Sequence, residues 1–157
     1  MNSSSSIKLL DARQIDAVVG LFDAQLREHR ITRSTDDLRA VAQTVVTDPR
    51  YGFMLVANAP DNRPIGVAYA STILTLEHGG VSGWLEELYV LPPWRGSGVG
   101  SRLLAAVIAR AQELGWRALD LEVDAHHQRV ISLYLRHQFQ QHSRTRFYRT
   151  LRDDRPA

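Results

Sequence analysis

Three stretches of the chain carry residue types whose spacing could support chemistry. The first is a loop over residues 95–100, where glycine occupies every second position between an apolar stretch and a long amphipathic run. The second is the adjacent carboxylate pair Glu86 and Glu87, and the third is Tyr134, on the apolar face of the last predicted helix. These residue types suit anion binding, cation binding and proton transfer, respectively.

The glycine loop has the composition of an anion-binding site. Gly96, Gly98 and Gly100 lack a Cβ atom, so the backbone can adopt unusual dihedral angles and a ligand can approach it closely. The helix predicted directly after the loop adds unpaired amides and a dipole that favours negative charge. The sequence therefore predicts that a phosphate or pyrophosphate binds here.

Composition indicates one soluble domain. The chain has 157 residues, of which 44% are hydrophobic and 23% charged, and its formal net charge is only +2, which does not indicate a nucleic-acid partner. No apolar run reaches the roughly 18 residues that span a bilayer, and the polar start lacks the features of a signal peptide, so we expect a cytoplasmic protein with no membrane partner. The absence of cysteine excludes disulfides, thiolate metal sites and an acyl-cysteine intermediate.

Hydrophobic periodicity and turn residues divide the chain into eleven elements. Strands are predicted at 7–10, 52–57, 65–76, 84–90, 118–123, 139–141 and 145–151, and helices at 11–28, 35–48, 99–114 and 128–137. Antiparallel strands followed by a parallel βαβ unit predict a single α/β domain with a mixed, mostly antiparallel sheet and helices on both faces. We expect this domain to cover residues 7–151, with a flexible tail at 1–6 and a second tail at 152–157.

The glycine loop resembles the Arg/Gln-x-x-Gly-x-Gly/Ala signature of the GNAT superfamily, the acetyl-CoA-dependent N-acetyltransferases. The strand before it is similar to the central strand of that family, acidic pair included, and is nearest to the branch that acetylates diamines and small amines. The resemblance implies that the backbone of Leu88, Tyr89 and Val90 binds the pantetheine arm and that a backbone N–H near Val90 stabilises the oxyanion. It also implies a loop that holds the CoA pyrophosphate: Arg95, Gly96, Ser97, Gly98, Val99, Gly100 and Ser101.

The run around Tyr134 resembles a second motif of the family, in which the tyrosine protonates the departing CoA thiolate. Three positions depart from that motif: His127 replaces an asparagine that contacts the pantetheine arm, Val130 an alanine, and Gln138 a glycine. His127 either takes over the cofactor contact or points away, and Gln138 must occupy a helix-ending position with positive φ. These departures leave open a CoA-binding module without catalytic activity.

The acidic pair is the predicted acceptor site. Because successive strand residues point to opposite faces, Glu86 and Glu87 can line one pocket only if the strand bulges. A carboxylate can attract an ammonium group and accept its proton. By resemblance, Glu86 is the base and Glu87 a second cation-binding group, with Trp84 beside them. We therefore expect direct acetyl transfer from acetyl-CoA to a small cationic amine, by a homodimer on family analogy; a protein amine remains an alternative acceptor.

Two other kinds of site receive less support from the sequence. A dinucleotide site would also begin with Gly96-x-Gly98, but Ser101 stands where its third glycine belongs. Acidic residues alternate along 120–124, which suits a solvated sheet face. The adjacent His126 and His127 have no partner at metal-ligand spacing in the sequence, so no metal is predicted.

Overall fold

The structure, a computed structural model, describes residues 5–152. Five strands form one sheet in the order β1-β2-β3-β4-β5, in which only β4 and β5 are parallel. The strands are β1 (Ser6–Leu9), β2 (Gly52–Asn58), β3 (Pro64–Thr75), β4 (Gly80–Val90) and β5 (Leu119–Asp120), and the helices are α1 (Ile15–Glu28), α2 (Thr35–Thr47), α3 (Val99–Glu113) and α4 (Ile131–Arg136). The predicted mixed sheet with one parallel pair is confirmed.

The alternation of apolar side chains along β2 sets the layers. Met54 and Val56 pack into a core with α1 and α2 on one face of the sheet. Phe53, Leu55 and Ala57 pack into a second core with α3 on the opposite face. Because consecutive strand residues point to opposite sides, a strand buried on both faces is apolar throughout. The prediction of helices on both faces is thereby confirmed.

Short polar side chains cap the starts of the first two helical segments. The side chain of Asp11 accepts a hydrogen bond from the amide of Arg13 in the 3₁₀ turn that leads into α1. The side chain of Ser34 accepts one from the amide of Asp37 at the start of α2. Each cap satisfies an amide that has no partner within its own helix.

The two ends of the chain differ from the prediction. β1 begins at Ser6, and Ser5 is buried and hydrogen-bonded by the guanidinium of Arg102, so part of the expected N-terminal tail belongs to the packed structure. Residues 1–4 and 153–157 of the predicted tails lie outside the described residues. None of the helices within residues 5–152 is both long enough and apolar enough to cross a bilayer.

The predicted closing pair of strands at 139–141 and 145–151 is wrong. β5 contains only two residues instead of the six expected, so it offers little edge on which a further strand could pair. Residues 139–152 carry no strand, and the side chains of Phe147, Tyr148 and Leu151 are 86–90% exposed. α4 is also shorter than expected, because the preceding turn is 3₁₀ helix with a kink at His127.

A β-bulge interrupts the pairing of β3 with β4. Tyr69 lies opposite Glu87, and the next residue of β3, Ala70, lies opposite Leu85. Glu86 is therefore an extra residue in β4. Two residues on either side of it that would share a face in a regular strand point to opposite faces of the sheet. Leu85 packs on the side of α3, whereas Tyr89 packs on the side of α1 and α2.

Candidate active site

The bulge brings both members of the acidic pair to one pocket. Glu86 and Glu87 both line a cavity of about 150 Å³ between the sheet and the first two helices. The condition stated from the sequence, that the two carboxylates share a pocket only if the strand bulges, is met. The other lining residues are almost all apolar or aromatic: Phe22, Leu26, Leu38, Val41, Met54 and Tyr69.

The two carboxylates have different surroundings. Burial raises the pKa of Glu87 to about 7, an effect opposed by a hydrogen bond from Gln25 and by the nearby His29, and increased by the charge of Glu86. Glu86 is exposed and accepts a hydrogen bond of 2.8 Å from the hydroxyl of Ser71. Glu87 is thus the carboxylate that can exchange a proton near neutral pH.

Tyr134 approaches Glu87 from α4. Its ring contacts Phe139 edge to face, with 5.7 Å between the ring centroids, and it packs against the core on the α3 side of the sheet. Burial, together with the charge of Glu87, raises the pKa of Tyr134 to about 12. The phenol therefore keeps its proton at neutral pH and is available as a donor beside the carboxylate.

The backbone around Tyr134 confirms one expectation from the sequence. Gln138 has a φ of +67°, which is the left-handed conformation predicted for this helix-ending position. The amide of Phe139 donates a hydrogen bond of 3.1 Å to the carbonyl of Tyr134, so the chain turns back over the helix end. The departure from glycine at 138 is accommodated without a change in the turn.

An open strand edge lies between the acidic pair and the glycine loop. β4 pairs with β5 only at Gly83 and Trp84, whereas β4 continues to Val90. Beyond Trp84, the backbone groups of β4 that face β5 have no strand partner in the part of the chain that the structure describes. An extended ligand arm can bind such an edge as an added strand. Leu88, Tyr89 and Val90, the predicted contacts to pantetheine, all lie on this stretch.

The glycine loop ends in a helix start without a side-chain cap. Gly96 and Gly98 have φ values of +77° and +86°, and Gly98 is the N-cap of α3. The first intrahelical bond runs from the amide of Arg102 to the carbonyl of Gly98. Within residues 5–152, the amides of the three preceding residues have no hydrogen-bond acceptor: Val99, Gly100 and Ser101. These amides and the helix dipole form an anion-binding point.

Arg95 differs from the predicted arrangement. Its amide donates to the carbonyl of Pro92, so it does not face the anion-binding point with the amides of α3. Its guanidinium binds the carbonyl of Val90 at 2.8 Å and the carboxylate of Glu28 at 2.7 Å, and lies over the ring of Tyr89. Arg95 therefore joins the loop to β4 and α1 through its side chain.

Serine hydroxyls hold the two ends of the loop. Ser97 donates a hydrogen bond to the carbonyl of Trp94, and Ser101 is 2.9 Å from Nε2 of His137, at the end of α4. The second contact joins the start of α3 to the helix that carries Tyr134. Both serines were predicted as cofactor residues, and their backbone amides, rather than their hydroxyls, remain available for that role.

Two predicted residues lie away from the cavity. Trp84 shares the sheet face of the acidic pair, opposite Ser71, but does not line the cavity. His127 packs on His29 of the α1 terminus, with 4.8 Å between the ring centroids. Sequence reasoning missed the roles of Gln25, His29 and Asp124. Gln25 and His29 of the α1 region lie near Glu87 of β4, and His29 also binds Asp124, so these contacts join segments distant in sequence. The sequence of α1 carries no signal for this, beyond a polar glutamine on an otherwise apolar face.

Comparisons with known proteins agree with this geometry. The model of the acetyltransferase (GNAT) family matches residues 18–139, and the chain belongs to this family. The aminoglycoside N(6')-acetyltransferase type 1 of Stenotrophomonas maltophilia is 36% identical over 99 residues, which cover 61% of this chain and 63% of that protein. The aminoalkylphosphonate N-acetyltransferase of Salmonella typhimurium is 36% identical over 76 residues, 48% of this chain and 49% of that protein. The aligned region thus spans less than two thirds of either relative.

Solved structures share the fold over nearly the whole chain. The aminoglycoside N-acetyltransferase AAC(6')-Iy in complex with CoA has a TM-score of 0.82 at 23% identity, covering 96% of this chain and 97% of that one. An acetyltransferase from Clostridium acetobutylicum, solved with acetyl-CoA, has a TM-score of 0.77 at 18% identity, covering 93% and 96%. Solved structures of this fold thus include complexes with CoA and with acetyl-CoA.

Replacing Gly100 by aspartate tests the anion-binding point. A Cβ at Gly100 would meet only the side chain of Val90, at 3.7 Å, and the backbone there needs no positive φ, so the variant should fold. Its carboxylate would stand among the unpaired amides, and we expect the affinity for CoA to fall at least about 100-fold, a typical cost of an unfavourable buried charge. Isothermal titration calorimetry measures this affinity.

Gly20→Asp is the matched control, since Gly20 is an exposed helical glycine with open space around it. It adds the same charge to α1 and should leave CoA affinity unchanged. An unaltered affinity in folded Gly100→Asp would contradict the assignment of the loop.

The raised pKa of Glu87 predicts a pH-dependent stability. In the unfolded chain the carboxyl loses its proton near its ordinary value of 4.5, and in the folded protein near about 7. Between pH 4.5 and about 7 the folded state binds more protons at Glu87 than the unfolded state does. The contribution of Glu87 to the free energy of unfolding therefore falls as pH rises. Glu87→Gln removes the effect, and the stability of the variant relative to wild type should increase by on the order of 2 kcal/mol across this window.

Urea denaturation at a series of pH values measures this difference. Glu113→Gln is the control, because it removes one exposed carboxyl from α3, away from the cavity, and the change should be confined to Glu87→Gln. Parallel pH profiles for wild type and Glu87→Gln would show that burial does not affect this carboxyl.

Proposed function

We propose that the protein transfers the acetyl group of acetyl-CoA directly to a small cationic amine. The observation that carries this proposal is the bulge at Glu86, which places two carboxylates in one cavity beside a protonated Tyr134. A cationic acceptor, a proton acceptor and a proton donor thereby meet at the open edge of β4. Family membership supplies the cofactor class, since acetyl-CoA carries an activated acyl thioester.

Acetyl-CoA fits two features near the acidic pair, the start of α3 and the free edge of β4. The unpaired amides at the start of α3 suit the pyrophosphate, and the free edge of β4 suits the amide-containing pantetheine arm. The residues proposed to bind it are those predicted in β4 and the glycine loop, with Arg95 acting by holding the loop. His127 packs on His29 and is not among them. A backbone N–H near Val90 is the proposed donor to the oxyanion.

Glu87 and Tyr134 have separate roles in the proposed proton transfers. An aliphatic ammonium has a pKa near 10.4, so the acceptor must lose a proton before its nitrogen attacks the thioester carbonyl. Glu87 accepts that proton, and Tyr134 donates one to the sulfur as the carbon–sulfur bond breaks. The attacking nitrogen loses its second proton as the tetrahedral intermediate collapses, and this proton restores the Tyr134 hydroxyl. The resemblance assigned the base to Glu86, but burial and the nearby phenol favour Glu87. The exposed Glu86 then attracts the cation.

The cavity favours an amine on a short apolar arm. A space of about 150 Å³ is comparable with cavities that accept a benzene ring, and its wall is apolar apart from the carboxylates. An acceptor with a phosphonate would be repelled by Glu86 and Glu87. A lysine side chain has a similar apolar arm, so a protein amine is the second acceptor class that the cavity admits.

A panel of amines tests the acceptor class. We expect polyamines and arylalkyl amines to be acetylated faster than neutral amino acids, and aminoalkylphosphonates to be the poorest substrates. Release of CoA thiol measures the rates, and mass spectrometry of protein and peptide acceptors tests the alternative. Glu86→Gln should raise KM for cationic acceptors, whereas Glu87→Gln should also remove the rise of kcat with pH near 7.

Preference for phosphonate acceptors would contradict the assigned charge of the site. If no amine in the panel or on a protein is acetylated while CoA binds, the chain is a CoA-binding module without catalysis, the alternative raised by His127 and Gln138.

Removing the Tyr134 hydroxyl tests proton donation. Tyr134→Phe keeps the ring contact with Phe139 and should lower kcat by roughly 100-fold or more, the contribution of one general acid, with little change in CoA affinity. Tyr148→Phe is the control, since Tyr148 is exposed, and should retain full activity. Double-reciprocal plots should intersect for a ternary complex. Parallel plots with an acetylated protein would contradict direct transfer.

Three expectations from the sequence stay predictions: the homodimer, the cytoplasmic location and the domain limits. The exposed apolar side chains of Phe147, Tyr148 and Leu151 favour burial against a second molecule, because extended apolar segments with no cover in a monomer are typical of interfaces.

A further inference from the structure

A cluster of three potential metal ligands lies between the end of α1 and the turn that precedes α4. It consists of His29, Asp124 and His127, whose candidate ligand atoms all lie within 4.8 Å of one another. Nδ1 of His29 and the carboxylate of Asp124 are hydrogen-bonded, although 95 residues separate them in the sequence. The sequence suggested no metal at His126 and His127 because the other imidazole of the cluster, His29, comes from a distant segment.

Two observations indicate that this cluster can accept a ligand. Nδ1 of His127 is buried and has no hydrogen-bond partner in the described part of the chain, which is costly for a polar atom. The other two residues remain open to solvent, with 25% of the His29 side chain and 49% of the Asp124 side chain exposed. An ion can therefore enter from water and relieve an unsatisfied imidazole.

We propose that His29, Asp124 and His127 bind a divalent transition-metal ion of the zinc class. Two imidazoles and one carboxylate are ligands that Zn²⁺ prefers, and a water molecule would complete a tetrahedral site. At zinc bond lengths, neighbouring ligand atoms lie roughly 3.4 Å apart, so small side-chain rotations convert the present cluster into a site. The carboxylate offsets part of the charge of the ion.

A buried amide supports the orientation of one ligand. Gln25 is buried, and its side-chain nitrogen lies 3.2 Å from Nε2 of His29. With Nδ1 on the metal, the Nε2–H group of His29 would donate a hydrogen bond to the side-chain oxygen of Gln25 after rotation of the amide. Imidazoles bound to metals are usually held by such a partner on the second nitrogen.

The site would join the end of α1 to the segment that precedes α4. His29 ends the helix that lines the acceptor cavity, whereas Asp124 and His127 belong to the segment that leads into α4 and Tyr134. A bound ion would hold these segments at a fixed distance. The proposal concerns binding, and it does not depend on the acetyl transfer proposed above.

Metal binding to the full chain, without an affinity tag and after treatment with a chelator, tests the proposal. We expect Zn²⁺ to bind in calorimetry with one site per chain, to raise the thermal unfolding midpoint, and Co²⁺ to give the visible d–d bands of a four- or five-coordinate ion. His29→Ala and Asp124→Asn should each weaken Zn²⁺ binding at least about 10-fold and abolish the thermal shift.

His126→Ala is the matched control, because it removes the exposed neighbouring imidazole outside the cluster, and it should bind Zn²⁺ as wild type does. Asp124→Asn keeps the side-chain shape, so it separates loss of a ligand from loss of folding, which circular dichroism checks. The proposal is overturned if wild type gives no one-to-one binding, or if the cluster variants bind Zn²⁺ as tightly as His126→Ala.

Discussion

Strand β4 carries one residue more than β3 beside Tyr69, and this local mismatch turns two consecutive carboxylates towards the same helices. A regular strand would place Glu86 and Glu87 on opposite faces. Past the bulge, β4 continues while β5 ends after two paired residues, so the edge of β4 stays open. The bulge and the short parallel pair together create both the cavity proposed for the acceptor and the strand edge proposed for an extended cofactor.

The charges of the site are separated along this path. The carboxylates lie at the bulge, the end of β4 lies roughly 13 Å further along at strand spacing, and the unpaired amides of α3 follow the loop after that end. A ligand with an anionic end and a reactive end is therefore oriented before any specific contact forms. Arg95 maintains the geometry by joining the loop to the carbonyl of Val90 and to Glu28 of α1.

Burial controls proton affinity at the junction of these features. It raises the pKa of Glu87 to about 7 and that of Tyr134 to about 12, and the charge of Glu87 contributes to the second of these shifts. The same segments that bury them also assemble Gln25 and His29 beside Glu87. The two groups proposed to transfer protons thus depend on packing between α1, β4 and α4, and a change in any of these elements should alter the site.

The sequence by itself determined the glycine loop before α3, the mixed sheet with one parallel pair, and the positive φ of Gln138, because periodicity, glycine spacing and turn chemistry are local. It failed at the last strands, since a strand needs a partner that local pattern cannot supply. Only the tertiary structure decided that β4 bulges at Glu86, that Glu87 is the more buried of the two carboxylates, and that His29 meets Asp124 and His127. Each of these depends on contacts between segments far apart in the chain.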